Sequence, residues 1–433
     1  MRTPHLTADS LLLENPILAE LNPAEIVFCS GAASFLQSDF WGSFKARFGW
    51  KPYPFKAEWE TTAGNKECLP LLVLYRRLSF GIGFAYVPWG PELPAGYDTE
   101  ASQKAAAELA ETLRTFIPKN AAFIRFDFPW LINNSNLEDC NNHELHKPSQ
   151  TGKRSFSRAD ADVQPPDSVL VDLLPDEKTI LGAMKPKWRY NIGLAGKKGV
   201  SVRCVAASDI PLESGAGDLA SYYSIYKETA ERDGISIHGL EYYRILFEEA
   251  EKHGVDARLY IASNEGEDIA GIVTLFRGRE AVYLYGASSN HKRNLMAPYA
   301  LQWKAMQDAK ASGCCCYDMF GIPPKPPEDD PDHPMAGLYR FKTGFIGDAQ
   351  DQHAGHQVCN TGECCTACPS KDSSTAAIVS GDQGQGWYAG GKIIHRPGSW
   401  DYTCRPLVKT LYSAAEKTRK KIWDIKKRRK RRQ

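Results

Sequence analysis

YLYGASS (Tyr283–Ser289), the helical run APYALQWKAMQDAKAS (Ala297–Ser312), YDMFGIPP (Tyr317–Pro324) and GLYRFKTGF (Gly337–Phe345) follow one another in a single stretch. Such a density of aromatics and turns reads as a shaped pocket. Tyr283 and Tyr285 alternate on a strand, and with Gly286 opening the next turn they face one wall of a cleft. Phe341 and Lys342 lie between an aromatic run and a glycine turn, read here as a further strand, with Lys342 a cation beside whatever Phe341 stacks on. The pattern alone suits a core strand with a solvated lysine equally well.

Working outward, the same order of elements occurs twice. In the first half a short strand at Glu25–Cys29 precedes an amphipathic helix at Asp39–Phe48. Strands at Cys68–Leu78 and Ser79–Val87, a long alanine-rich helix at Thr99–Phe116 and the strand AAFIRFDF follow. Residues 131–165 lose periodicity and read as a linker. The second half runs from SVLVDLL at Ser168 through one helix over Glu177–Lys198, whose basic face holds Lys185, Lys187, Arg189, Lys197 and Lys198. Next come VSVRCVA, helices at Asp218–Asp233 and Leu240–His253, strands ARLYIAS, DIAGIVTLFR and EAVYLYGAS, a helix at Ala297–Ser312 and CCCYDMF. A strand ending FAYVPWG, a helix and a strand ending RFDF in one half match YLYGAS, helix and YDMF in the other, so duplication of one mixed α/β unit is the economical reading. The expected domains are 1–165 with 391–433, then 166–347, with 348–390 a Cys/Gly/Ser-rich loop insertion. GKIIHRPGSWDY is expected as a return strand and Tyr412–Lys421 as a last helix.

The chain has 433 residues, 42% hydrophobic and 24% charged, which suits a globular protein of more than one domain. No run of eighteen apolar residues occurs, and the N-terminal stretch fits neither a signal peptide nor a span, so a cytoplasmic location is expected, or a peripheral one at the inner face of the membrane. The net charge of +1 is unevenly placed, because Lys417–Gln433 holds eleven Lys or Arg against one Asp. That tail is either a solubilising extension or a contact for polyphosphate, nucleic acid or an anionic membrane. Twelve cysteines in a reducing compartment report packing or metal rather than disulfides. Cys314, Cys315 and Cys316 read as a buried strand. Cys359, Cys364, Cys365 and Cys368, near His353 and His356, offer soft ligands for zinc or belong to an ordinary surface insertion.

The element order resembles the acetyl-CoA-dependent acyltransferase fold, in which amides of a glycine-rich turn hold a pyrophosphate at a helix N-terminus. Here Met296, Ala297 and Pro298 occupy that turn, and their bulk and the missing N–H obstruct the phosphate, so no cofactor is expected. More specifically, YLYGASS, APYALQW, YDMFGI, HPMAGLYRFKTGF and GSWDY, preceded by LLPDEKTILGAMKPKWRYNIGLAGKKGV and TAERDGISIHGLEYY, resemble the FemABX family of peptidoglycan bridge-forming aminoacyltransferases. The resemblance covers most of residues 25–345 plus 391–420. It implies two tandem acetyltransferase-like (GNAT-like) domains and transfer of an amino acid from aminoacyl-tRNA to an amine on the precursor's stem peptide. With no helical hairpin between Arg232 and Tyr260, the chain resembles the short FemX type.

The resemblance also implies roles. FWGSFK places Lys45, four residues after Trp41, against the nucleotide diphosphate of a UDP-linked or lipid-linked muropeptide. Tyr242 and Tyr285 match tyrosines lining the precursor site, and His238 stands where a relative has arginine. Phosphate contact from His238 weakens above an imidazole pKa of about 6.5, and Arg232 or Arg189 is offered as a replacement. Asp127 in FIRFDFP and Lys342, beside Phe341, are the expected catalytic pair. Lys342 would put charge near the oxyanion or the terminal ribose, and Asp127 would bind the ammonium or take its proton. Plainer readings stand beside these: Asp127 as a turn cap, Lys45 as a solvated helix lysine, Tyr242 as core. The rival functions are a coenzyme A-dependent N-acyltransferase and a metal-stabilised RNA-binding protein.

Overall fold

A computed structural model describes residues 11–13, 34–60, 66–78, 81–93, 99–130, 156–211, 217–333, 335–347, 390–406, 408–410 and 412. The strand expected at Glu25–Cys29, the insertion with its cysteines, most of the last helix and the basic tail lie outside these residues. By contacts the chain forms two units, residues 1–164 with 397–433, and residues 165–396.

In chain order the first unit contributes β1 (Leu11–Leu13), α1 (Asp39–Ala46), β2 (Trp50–Glu60), β3 (Lys66–Arg77), β4 (Gly83–Val87), α2 (Thr99–Phe116), β5 (Ala121–Asp127) and β6 (Phe156–Arg158). The second holds β7 (Asp167–Asp172), α3 (Glu177–Ala183), α4 (Pro186–Lys197), β8 (Ser201–Ala206), α5 (Asp218–Asp233), α6 (Leu240–Lys252) and β9 (Asp256–Asn264). It continues through β10 (Glu267–Arg277), β11 (Glu280–Ser288), α7 (Ala297–Ala311), β12 (Cys316–Ile322), α8 (Ala336–Thr343) and β13 (Gly391–Ile394). The chain then returns to the first unit as β14 (Ser399–Thr403).

The first sheet runs β1-β2-β3-β4-β5-β14-β6 and the second β13-β7-β12-β11-β10-β9-β8. Each is antiparallel except at one pair, β4 with β5 and β11 with β12. Parallel neighbours need a crossover, and α2 and α7 supply it, so the repeat read from the sequence is a repeat of topology. Apolar faces of strands and crossover helix close each core. Val73, Val87, Leu109, Leu113 and Phe126 pack in the first unit, and Val171, Ile272, Leu301, Met306 and Tyr317 in the second. Of the three cysteines read as a buried strand, Cys314 and Cys316 are buried and Cys315 is half-buried, and only Cys316 lies on β12.

Four local readings are corrected. GLYRFKTGF is helical, not a strand. Phe341 and Phe345, four residues apart, meet edge to face at 5.3 Å, which is helical spacing. The single helix expected over Glu177–Lys198 is broken before Pro186, since a residue preceding proline is pushed out of the helical region, and Lys185 sits at ψ 143°. Strand β2, WKPYPFKAEWE, was not foreseen because of Pro52 and Pro54. Among the described residues β1 pairs with Phe55–Ala57 alone, so Pro52 and Pro54 have a strand neighbour on the β3 side only, and such a locally open side tolerates proline. Finally, Gly391–Ile394 pairs with Val171–Ser168 on the second unit's sheet, so the return to the first unit begins only at Pro397, not at residue 391.

Gly344 shows how tightly α8 is seated. A Cβ there would lie 2.1 Å from Trp188 Cε2, while the Trp188 indole N–H donates to Phe341 O at 2.8 Å. Gly344→Ala therefore has to move the indole off its acceptor. We expect a loss of about 2–3 kcal/mol, seen as a lower urea midpoint at unchanged m-value.

Candidate functional site

In the first unit, Ser38 caps α1 by accepting from Trp41 N, which fixes the start of the helix and so the turn that carries Trp41 and Lys45. Lys45 Nζ lies 5.2 Å from the Trp41 ring centroid and 5.7 Å from that of Phe44. Burial, then the charge of Arg76, pushes its pKa down to about 8. Lys45 is thus half-buried over an aromatic ledge rather than a freely solvated helix lysine.

Asp127 ends β5 and is 2% exposed. Its carboxylate accepts from the hydroxyls of Ser399 and Tyr86 and from Gln164 N at 3.1 Å. Burial outweighs these bonds and pushes its pKa up to about 6. Asp127 ties β5 to β14 and to the segment after β6, and it titrates far closer to neutrality than a surface aspartate.

In the second unit the pairing of β11 with β12 ends at Val282 and Asp318. The continuation of β12 bulges between Asp318 and Gly321, with Phe320 at a φ of 60°, a left-handed conformation that a bulky residue rarely adopts. Lys342, on α8 and 5% exposed, donates to the carbonyls of Phe320 at 3.2 Å and Gly321 at 2.9 Å. Its ammonium also lies 5.2 Å from the Tyr283 ring. Desolvation lowers its pKa to about 7, against the opposing pull of Asp318. One oxygen of Asp318 accepts from Ser168 Oγ and Phe320 N, and its other oxygen has no partner among the described residues. Carboxylate and ammonium thus grip the same bulge from two sides.

A second cluster joins three of the expected residues. His238, exposed, stacks on Tyr242 at 3.8 Å and 11°, and the Tyr285 and Tyr242 hydroxyls are hydrogen-bond partners. Tyr243 packs edge-on to Tyr285 at 5.3 Å and shares a hydroxyl hydrogen bond with Tyr226. Burial raises the pKa of each of these tyrosines, so they act as neutral hydroxyls. Arg232 is engaged elsewhere, with Ser288 O at 2.8 Å, Asn290 and Asp233, fastening the end of the strand that carries Tyr285. Arg189 holds Gly182 O and Met184 O. Phe341 packs on Tyr299 at 5.2 Å.

Asp318, Tyr243 and Ser399 were not singled out in the sequence. The signal for Asp318 was present in the repeat: RFDF and YDMF each place an aspartate where the parallel pairing of the strand ends. Each such aspartate takes a hydrogen bond from a serine on the adjacent antiparallel strand, Ser399 or Ser168. Among the described residues no group of three His, Cys, Asp or Glu could hold a metal ion, and no helix is long and apolar enough to cross a membrane.

The described second unit has only α6 between α5 and β9, without a helical hairpin. The chain resembles the crystal structure of FemX with a TM-score of 0.62 at 15% identity, over 90% of this chain and 98% of that one, a likeness of fold. It is 29% identical over 197 residues to a UDP-N-acetylmuramoylpentapeptide-lysine N(6)-alanyltransferase of Weissella viridescens, 45% of this chain and 53% of that protein. It is 41% identical over 78 residues to a lipid II:glycine glycyltransferase of Staphylococcus saprophyticus subsp. saprophyticus, 18% of each chain. The aligned stretches thus span about half the length of the first relative and less of the second. The FemAB family model matches residues 29–265 and 256–351, and with the duplicated topology in place the chain belongs to the FemAB family.

Proposed function

We propose that this chain is an aminoacyltransferase that moves an amino acid from aminoacyl-tRNA to an amine of the stem peptide of a UDP-linked or lipid-linked muropeptide, working in the cytoplasm or against the inner face of the membrane. The observation that carries the reading is the family match across both units, joined to a buried, near-neutral lysine at the bulge of β12. The transferase names of the two relatives support it.

In the reaction the ammonium first releases one proton; the amine nitrogen then bonds to the ester carbonyl carbon, the bond from that carbon to the ribose oxygen breaks, and a second proton from the nitrogen leaves on the ribose hydroxyl. Aminolysis of an ester is downhill, so the protein's task is juxtaposition and charge stabilisation. Lys342 supplies a desolvated cation for the oxyanion or the departing ribose oxygen, with Phe341 beside it. Asp127 governs the proton balance on the amine side. Lys45 over Trp41 meets the diphosphate. His238, Tyr242 and Tyr285 receive the precursor through one stacked ring and two hydroxyls, with Arg232 positioning the strand.

Purified protein incubated with charged tRNA and either muropeptide should give an RNase-sensitive mass increase on the peptide. No increase with any charged tRNA rejects the reading. Tyr285→Phe removes the hydroxyl that partners Tyr242 and little packing. We expect KM for the muropeptide to rise about fivefold, the equivalent of about 1 kcal/mol, and an unchanged KM would take Tyr285 out of the precursor site.

A further inference from the structure

Helix α4 has an inner face with known work and an outer face without it. Inside, Trp188, Asn191 and Ala195 pack towards α7, with the Trp188 and Tyr299 rings 5.7 Å apart. Outside, Lys187, Arg189, Tyr190, Gly193, Gly196 and Lys197 are all exposed and fall on one arc of the helix. Between Lys185 and Gly199 there are five Lys or Arg and no Asp or Glu, whereas a merely solvated face usually mixes both signs. At the helix end Lys198 donates to Asn294 O at 3.0 Å, which brings exposed Arg293 alongside.

The two glycines sharpen the point. Glycine inside a helix is destabilising relative to alanine. A Cβ at Gly193 or Gly196 would meet nothing within 4 Å, whereas one at Gly271 or Gly344 would strike a ring. Packing within the protein therefore does not call for either outer glycine. Bare backbone flanked by cations, with Tyr190 65% exposed between them, suits a polyanionic strand that approaches closely and offers a flat group to the ring. A helix lying in a lipid interface instead turns large apolar side chains outward, and on this arc Tyr190 is the one exposed large side chain with apolar character.

We propose that the outer face of α4 is a docking surface for the phosphodiester backbone of RNA, the stem of the aminoacyl donor; this rests on the tRNA-dependent reading above. The test uses the full chain, with deacylated tRNA and an acceptor-stem hairpin as fluorescence-anisotropy probes. Lys187→Gln with Lys197→Gln should weaken binding about tenfold and make the slope of log K against log salt shallower by about two. Gly193→Gln with Gly196→Gln should hold or raise Tm, since glutamine favours a helix, yet weaken RNA binding by a similar factor. A merely structural role for the glycines does not give those opposite signs. Unchanged affinity and salt slope in both variants overturn the proposal, as does binding through this face to phosphatidylglycerol vesicles with RNA binding unaffected. If charged tRNA supports no transfer while the hairpin binds through α4, the donor reading falls and the RNA surface stands. If transfer occurs and neither variant alters RNA binding, the surface falls and the donor reading stands.

Discussion

Lys342→Met is expected to lower kcat by about 100- to 1,000-fold, the usual loss when one preorganised positive group is withdrawn from a developing oxyanion, while KM for the muropeptide changes by less than about threefold. Single-turnover kinetics with charged tRNA make the measurement, and a large KM effect at preserved kcat would reassign Lys342 to binding. Stability is not expected to follow activity. Burial lowers the lysine pKa from 10.5 to about 7, so its contribution to stability is fully present above the unfolded pKa and is lost as pH falls through about 7. Keeping it charged below that pH costs several kcal/mol. Methionine removes that cost but leaves the carbonyls of Phe320 and Gly321 without their donor, at about 1–3 kcal/mol each. The two effects nearly cancel, so Tm at pH 6 should match or exceed the wild type while turnover is lost. The same titration predicts an alkaline limb in the wild-type rate profile near pH 7.

Asp127 separates geometry from charge in the first unit. Asp127→Ala strips the acceptor from Ser399, Tyr86 and Gln164 N in a buried site and should cost about 3–5 kcal/mol. Asp127→Asn keeps an oxygen for Gln164 N and Tyr86 and turns its amide toward Ser399 Oγ, so the network survives without the charge. The wild-type carboxyl titrates near 6 in the fold against an ordinary value of 3.8. A raised pKa gives stability that is present below the unfolded pKa and lost as pH climbs through about 6. An amide lacks that slope, so the asparagine variant should match the wild type at pH 4 and exceed it by on the order of 3 kcal/mol at pH 8. Urea melts at both pH values test this. If the carboxylate also serves the reaction, the asparagine variant loses at least tenfold in kcat and the acid limb near pH 6; if Asp127 is only a turn cap, kcat stays within twofold.

Against these expectations, the limits of reading the sequence are physical. Periodicity placed α2, α7 and nearly every strand of the second unit because each buries a face against its own neighbours. It failed on GLYRFKTGF, where an aromatic run fits period 2 and period 3.6 alike until Trp188 and Tyr299 select the helix. It failed on β2, where proline normally denies a strand but is tolerated at Pro52 and Pro54, which among the described residues have a strand neighbour on one side only. Lys342 and Tyr285 came from the family resemblance. Asp318 and Tyr243 were missed because their partners, Ser168 and Tyr226, are remote in sequence and meet them only across the sheet or between packed helices.

The sequence by itself determined the duplicated order of elements, the family and the basic face of α4, because these follow from local pattern and motif. Only the tertiary structure decided the states of the groups that carry the chemistry. Desolvation, against long-range hydrogen bonds that pull the other way, turned Asp127 into a buried carboxyl near pKa 6, and desolvation brought the Lys342 ammonium, held by α8 against the β12 bulge, down to about 7. Such shifts depend on what surrounds a side chain in space, which no local spacing encodes. The stretch from Tyr283 to Phe345 owes its importance to the same cause: its strand, bulge and helix are brought together by the sheet.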